Sequence, residues 1–327
     1  MSSTPKHYGR VVITGAAGFI GSHFLRSLVE NQLCISSSEI TVVDLLTYAS
    51  NYEDISDLIE GRKVDFKRGD ISSHEFMSEI LKKADLVVNF AAESHVDKSI
   101  EDSSAFIKTN VLGVDVILNI LKENKKCRFV QISTDEVYGS VELGEWDEKC
   151  SLSPNSPYSA SKASADLLTL AYARTHGVDA VITRCSNNYG PNQNLEKFIP
   201  TCINQILKNK KIPIYGNGMQ KREWIHVSDH CKGIATAITH GKSGEIYNIG
   251  SGIELTNISL ASQILKVLKK DESLIEYVED RKGHDYRYAV DYKKIRDLGF
   301  VNEIDFKQGL EQTINWYKEK DLIDAER

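Results

Sequence analysis

Two short stretches carry the reactive side chains of this sequence. Ser133-Thr134-Asp135-Glu136-Val137-Tyr138-Gly139 sets two adjacent carboxylates beside a hydroxyl at what reads as the end of a strand. Tyr158-Ser159-Ala160-Ser161-Lys162 spaces a phenol and an ammonium one helical turn apart. A nearby ammonium favours the phenolate, which makes Tyr158 a base for a sugar hydroxyl. The two carboxylates offer a second base and an acid. Placed near a nicotinamide, the set could oxidise a sugar, eliminate water and return the hydride. Each half alone is open to a blander reading: Tyr-x-x-x-Lys is common by chance, and adjacent acids also occur in solvated turns.

Such residues need a scaffold, and the chain supplies turn and strand signals for one. Gly15-Ala16-Ala17-Gly18-Phe19-Ile20-Gly21 follows the β-branched run 10–14 and opens a helical pattern over Phe19–Val29. Glycines allow the tight turn and let the backbone approach a pyrophosphate, which the helix N-terminus then faces. The spacing is G-x-x-G-x-x-G, and a purely structural turn is the alternative. Asp44 closes a second apolar run at 40–43. An acid there accepts the adenine-ribose hydroxyls and repels a 2′-phosphate, favouring NAD over NADP, although a solvated turn or helix cap is also open. Asp70, after the run 64–67, is placed to bond the adenine amino group or to cap a helix.

Further strand-like runs at 86–90 and 128–132 alternate with helical patterns at 75–82, 103–122 and 159–173. Strands alternating with helices imply βαβ units, hence an α/β fold with a Rossmann-type, doubly wound parallel sheet. Beyond about residue 187 the alternation loosens, and 187–192 is turn-rich. Helices are expected at 198–207, 260–268 and 306–317, and short strands at 246–249 and 288–290. Residues 1–187 are therefore expected to form the NAD-binding domain, with chain returning to it around 222–250. Residues 188–327 are expected to form mainly a smaller mixed α/β substrate lobe.

The 327 residues suffice for one large α/β unit or two smaller domains with a proper core. A net charge of −6 argues against a nucleic-acid partner and requires a local basic pocket for any anionic substrate. The cysteines at 34, 127, 150, 185, 202 and 231 lack metal-ligand spacing and read as free thiols in a reducing cytoplasm. Residues 1–10 are polar, so no signal peptide is expected. No run of about 18 apolar residues occurs, so no membrane span is expected.

The glycine turn, Asp44 and Tyr158/Lys162 resemble the extended short-chain dehydrogenase/reductases that act on nucleotide sugars. Four further stretches narrow the resemblance: Asn89-Phe90-Ala91-Ala92-Glu93-Ser94-His95-Val96-Asp97, the Thr134-Asp135-Glu136 stretch, Arg184-Cys185-Ser186-Asn187-Asn188-Tyr189-Gly190-Pro191, and Gly283-His284-Asp285. From about residue 10 to 320 the chain resembles the dTDP-glucose 4,6-dehydratase family. The resemblance implies that Tyr158 deprotonates the sugar 4-hydroxyl while hydride leaves C4 for NAD. Lys162 lowers the phenol pKa and Thr134 bonds the 4-oxygen. Glu136 removes the C5 proton, Asp135 protonates the departing 6-hydroxyl, and hydride returns at C6, so NAD stays bound.

The resemblance also assigns contacts. For the cofactor these are Gly15, Gly18, Phe19, Ile20, Gly21, Asp44, Leu45, Thr47, Asp70, Ile71, Phe90, Ala91, Ala92, Ser94, Thr109, Tyr158 and Lys162. For the nucleotide sugar they are Ser94, His95, Thr134, Asn187, Glu196, Lys197, Pro213, Ile214, Tyr215, Arg222, Asn257, His284, Arg287 and Tyr288. Lys197, Arg222 and Arg287 are the cations that would hold a pyrophosphate. Pro213-Ile214-Tyr215 would pack on the thymine base, or equally form a buried core segment. A homodimer through a four-helix bundle built from 103–122 and 160–174 is implied as well. The short stretch between Glu136 and Tyr158, with Lys282 and Tyr286, departs from many cell-surface pathway members and looks more like dehydratases feeding antibiotic deoxysugars. Two competing functions are a UDP-sugar dehydratase or 4-epimerase, which as an epimerase needs no acid pair, and an idle NAD-binding regulator, which needs no Tyr158 or Lys162.

Overall fold

The computed structural model describes residues 5–280 and 284–325. Its strands are β1 (Lys6–Thr14), β2 (Ile35–Asp44), β3 (Asp65–Arg68), β4 (Leu86–Asn89), β5 (Arg128–Thr134), β6 (Asp179–Cys185), β7 (Asn187–Tyr189), β8 (Ile212–Tyr215), β9 (Lys221–His226), β10 (Ile246–Ile249), β11 (Glu254–Thr256) and β12 (Ile275–Val278). Its helices are α1 (Phe19–Val29), α2 (Glu53–Glu60), α3 (His74–Leu81), α4 (Val96–Glu101), α5 (Ser104–Phe106), α6 (Gly113–Leu121), α7 (Pro157–His176), α8 (Phe198–Leu207), α9 (Val227–His240), α10 (Asn257–Leu268), α11 (Lys293–Arg296) and α12 (Phe306–Ala325).

Seven strands form one parallel sheet in the order β10-β6-β5-β4-β1-β2-β3. Its central strands read as nearly unbroken apolar runs because both faces are covered. Successive residues divide between the faces. Val11, Ile13, Leu86, Val88, Val130 and Ile132 pack with α1 and α9. Val12, Val87 and Phe129 pack with α3, α6 and α7. Each such side chain taken fully out of water contributes roughly 1.5–3 kcal/mol. The strand order reverses between β1 and β4, which opens a crevice at their carboxyl ends. Gly15 and Phe90 lie there.

The rest of the chain builds a second core. The three-stranded β11-β9-β7 sheet and the β12-β8 pair pack with α8, α10 and α12 around Ile203, Ile206, Ile214, Trp224, Leu260 and Ile264. Between these pieces α9 and β10 lie with the large sheet. Residues 288–290, expected as a strand, form only an isolated bridge from Trp146 to Val290. Their backbone is engaged otherwise: the Val290 N–H donates to the Glu223 carboxylate, and Ala289 accepts from the Trp146 N–H. α5, a π-helical turn over Ile107–Leu112 and α6 run together as Ser104–Leu121, long and apolar enough to cross a membrane. Val114, Ile117, Leu118 and Leu121 of this stretch are core residues of the sheet's second face. Lys108 and Asp115 interrupt it, which is why a search for an unbroken apolar run passes it over.

Candidate active site

Three cavities follow the carboxyl edge of the large sheet and share walls. The smallest, about 80 Å³, is lined by Asp44, Leu45, Thr47, Asp70, Ile71, Ala91 and Thr109. The next, about 300 Å³, is lined by Phe19, Ile20, Gly21, Ser94, Thr134, Asp135, Tyr158 and Lys162. Gly15, Gly18, Phe90 and Ala92 border both. The third, about 420 Å³, reaches into the second lobe, where His95, Pro213, Tyr215, Arg222, Asn257, His284 and Tyr288 line it. Glu136, Asn187, Glu196, Lys197 and Trp224 separate it from the second.

The first two cavities have the features of a dinucleotide cradle. Gly15 has φ +69°, and a Cβ there would fall 2.4 Å from the Ala91 nitrogen; one on Gly21 would fall 2.3 Å from the Gly15 carbonyl oxygen. The chain can pass this closely only without side chains. α1 has no side-chain cap and no acid in its first turn. Its N–H groups and the positive end of its dipole thus favour an anion. The Asp44 carboxylate is held in place, Oδ2 accepting from the Ala17 N–H at 2.9 Å and Oδ1 from the Leu46 N–H and the Ser50 hydroxyl at 2.8 Å each. A carboxylate retains lone pairs for a ribose diol after such bonds. Asp70 accepts from Ser72 and pairs with Lys108 at 2.8 Å. Burial pushes its carboxyl up, but the Lys108 and Ser72 hydrogen bonds outweigh that and hold it below the usual range. An uncapped helix for the pyrophosphate and a fixed acid for the diol fit NAD.

The reactive residues sit at two element starts. α7 opens with a capping box between Ser156 and Ser159 and with Pro157 at its first position. This fixes Tyr158 in the first turn, its N–H donating to the Ser99 hydroxyl at 3.1 Å. Lys162, one turn on, donates to the Ile132 carbonyl at 2.6 Å. Burial pushes the Lys162 ammonium down, while Asp166 and Cys185 pull it back up. The Tyr158 phenol is pushed well above its ordinary value by burial, then by Glu136, Cys185 and Asp135, with a Thr134 hydrogen bond acting the other way. At the end of β5, Thr134 caps a 3-10 turn over Asp135–Tyr138 and accepts from the Glu136 N–H. Asp135 is buried; its Oδ1 accepts from the Thr134 hydroxyl at 3.2 Å, while Oδ2 has no hydrogen-bond partner. Burial, then Glu136 and Glu223, push this carboxyl well up, against Arg222 and Thr134. Burial and the neighbouring carboxylates thus favour the protonated form of Asp135 over its carboxylate.

The third cavity separates the expected contacts. Strand alternation turns Pro213 and Tyr215 toward it and Ile214, fully buried, into the second core. Ile214, expected as a contact, packs its side chain in the second core between these two. Arg222 donates to the carbonyls of Lys221 and Asp285 at 2.7 and 2.9 Å and lies 4.4 Å from the Tyr288 ring centre. Arg287, also expected as a contact, makes a two-pronged bond to Glu254 at 2.6 Å and a third to the Gly144 carbonyl. Glu254 cancels its charge, whereas Arg222 meets neutral carbonyls. Lys197 donates to the Ser94 carbonyl at 2.9 Å, and the His95 ring lies 3.5 Å from Glu196. Asp285 is held by Asn155 and by the Tyr288 hydroxyl. Arg281, Lys282 and Gly283 lie outside the described residues.

Two positions escaped the sequence reading. Trp224 borders both larger cavities, and its signal was the alternation from Arg222 along β9. Asn110, buried in the π-helical turn, bonds both backbone groups of Glu93 and the Ser161 hydroxyl. It ties the loop after β4 to the catalytic helix, and a lone amide in an apolar helix was the available hint.

Residues 12–313 match the GDP-mannose 4,6 dehydratase family. The chain is 46% identical over 312 residues to a dTDP-glucose 4,6-dehydratase of Streptomyces niveus, covering 95% of this chain and 93% of that one. Among solved structures it is similar to a dTDP-glucose 4,6-dehydratase of Streptomyces venezuelae with NAD and TYD bound, at TM-score 0.94 and 46% identity, covering 96% and 98% of the two chains. It is also similar to a dTDP-glucose 4,6-dehydratase of Bacillus anthracis in complex with NAD, at TM-score 0.88 and 39% identity, covering 96% and 98%.

Proposed function

This chain belongs to the GDP-mannose 4,6 dehydratase family, and from that membership and its curated relatives we infer that it is an NAD-dependent dTDP-glucose 4,6-dehydratase. It converts dTDP-glucose to the 4-keto-6-deoxy sugar and water. The observation that carries this reading is that Asp135 and Glu136 line the same cavity wall as Thr134, Tyr158 and Lys162.

The family resemblance suggests the residue roles, and their shared cavity supports them. Tyr158 takes the proton of the sugar 4-hydroxyl, and Thr134 bonds the 4-oxygen. Lys162, pinned to the Ile132 carbonyl, keeps a cation one turn from the phenol. The ketone acidifies the C5 proton, which Glu136 removes. Asp135, whose carboxyl burial pushes up, delivers a proton to the departing 6-hydroxyl. NAD, when bound, would supply a hydride acceptor for C4 and the hydride donor for C6, held by the residues lining the first two cavities. The dinucleotide takes the first two cavities, its pyrophosphate on α1 and its ribose on Asp44.

The third cavity takes the nucleotide sugar, with Arg222 and Lys197 on the diphosphate and Pro213 and Tyr215 on the base. The chain divides accordingly: residues 1–187 and α9 to β10 serve the cofactor, and the rest mainly the substrate. Two copies associate through the helices at 103–122 and 160–174, where Ile107, Leu112 and Leu167 are exposed apolar side chains. The free cysteines support a reducing, cytoplasmic setting.

Incubation with dTDP-glucose and, separately, UDP-glucose tests the reading by product mass. Loss of one water from dTDP-glucose, without added NAD and without accumulating NADH, is expected. An epimer of unchanged mass would favour an epimerase, and stoichiometric NADH a net dehydrogenase.

A further inference from the structure

Beneath the catalytic helix lies an ion pair that the chemistry above leaves unused. Asp166 is fully buried on α7, one turn beyond Lys162, and Arg184 is 1% exposed on β6. The Arg184 Nε–H donates to Asp166 Oδ2 at 2.8 Å. The guanidinium carbon sits 4.7 Å from the centre of the Tyr138 ring. Tyr138 closes the 3-10 turn that carries Asp135 and Glu136, and its hydroxyl donates to Asn248 Oδ1 on β10 at 2.8 Å. Arg184 itself lies in register with Ser133, one residue before Thr134. One side chain therefore bonds the helix of the phenol along its edge and stacks on the turn of the two acids with its face.

Stability alone gives no reason for such a pair. Desolvation offsets the attraction between buried charges, and apolar side chains of similar volume are often as stable in their place. Asp166 Oδ1 and Arg184 Nη1 also lack hydrogen-bond partners, a cost that apolar packing would avoid. What apolar packing lacks is direction. A planar guanidinium can bond a carboxylate and stack on an aromatic ring in one fixed geometry.

We propose that Asp166, Arg184 and Tyr138 form a positioning device that locks α7 to the Asp135–Tyr138 turn, so that Tyr158 and Lys162 oxidise the same sugar that Glu136 and Asp135 then dehydrate. Asp166 additionally sets a negative charge near the Lys162 ammonium, opposing the downward push of burial. The inference rests on the dehydratase function proposed above.

Arg184→Lys tests it, because lysine keeps the charge and loses the flat fork. The holoenzyme is assayed in deuterium oxide with dTDP-glucose for kcat, KM, cofactor content and deuterium at C5 of recovered substrate relative to product. Small misplacements of reacting groups cost up to about 100-fold, so kcat should fall about 10- to 100-fold with KM and bound NAD within about twofold. C4 oxidation, which the α7 residues perform, should outrun C5 deprotonation, which needs the turn, so bound NADH builds up during turnover and little deuterium enters C5 of recovered substrate. Tyr138→Phe, which keeps the ring, should retain the native partition, and Tyr138→Leu should reproduce that of Arg184→Lys. If Arg184→Lys does not fold, Tyr138→Leu decides by the same readings. Native kcat and partition in the decisive variant, whatever its Tm, would reduce the stack to core filler and overturn the inference. A native enzyme that leaves dTDP-glucose unchanged would instead overturn the underlying function.

Discussion

Asp135 serves chemistry and stability in opposite directions. Burial and the neighbouring Glu136 and Glu223 raise its folded pKa well above 3.8, the value expected when unfolded. Between those two values the native chain holds a proton that the unfolded chain releases. Stability therefore falls as pH rises through that window. Asp135→Asn removes the titration, so thermal melts should show the variant more stable than the native chain at about pH 8, with the difference shrinking toward about pH 4. Equal melting profiles at both ends would mean that Asp135 is ionised in the fold. The same variant should still exchange the C5 proton with solvent deuterium while losing water slowly, by about 10²–10⁴-fold. Glu136→Gln should lose the C5 exchange itself. Native-rate exchange in Glu136→Gln would remove Glu136 from the role of base.

At the scale of elements, the β1–α1 turn is the tightest constraint on the cofactor. A methyl at Gly15 would meet the Ala91 nitrogen at 2.4 Å, and the +69° φ disfavours any side chain. Gly15→Ala should therefore yield protein that loses its dinucleotide, measured as nicotinamide released on denaturation. Native cofactor content would show that the crevice can open at no cost. This turn was legible in the sequence because its signals are local: glycines, a β-branched run and a helical period. α1 and β10 were legible for the same reason. Arg287 was not, since its partner Glu254 lies on a distant strand and only the fold brings them together. Ile214 was half legible: alternation along 212–215 is plain, but which side faces the cavity depends on packing with α8 and α10. Residues 288–290 alternate like a strand, yet the Glu223 side chain takes the Val290 N–H that a neighbouring strand would need.

At the scale of the molecule, two copies are expected to meet on α7 and the helices before it. Leu167 is 58% exposed, Ile107 51% and Leu112 49%, three large apolar side chains on the two helices expected to meet. Light scattering on a sizing column should give twice the chain mass for the native protein and the single mass for Leu167→Glu; a native monomer would dismiss this face as an interface. The central claim concerns both lobes at once: hydrogen taken from C4 of a sugar in one is held by the cofactor in the other and returned at C6. A single-turnover reaction with dTDP-glucose deuterated at C4, and no added NAD, tests it most directly. Deuterium recovered at C6 of the 4-keto-6-deoxy product is the expected result. Deuterium in free NADH, or back at C4 of an unchanged or epimerised sugar, would contradict it.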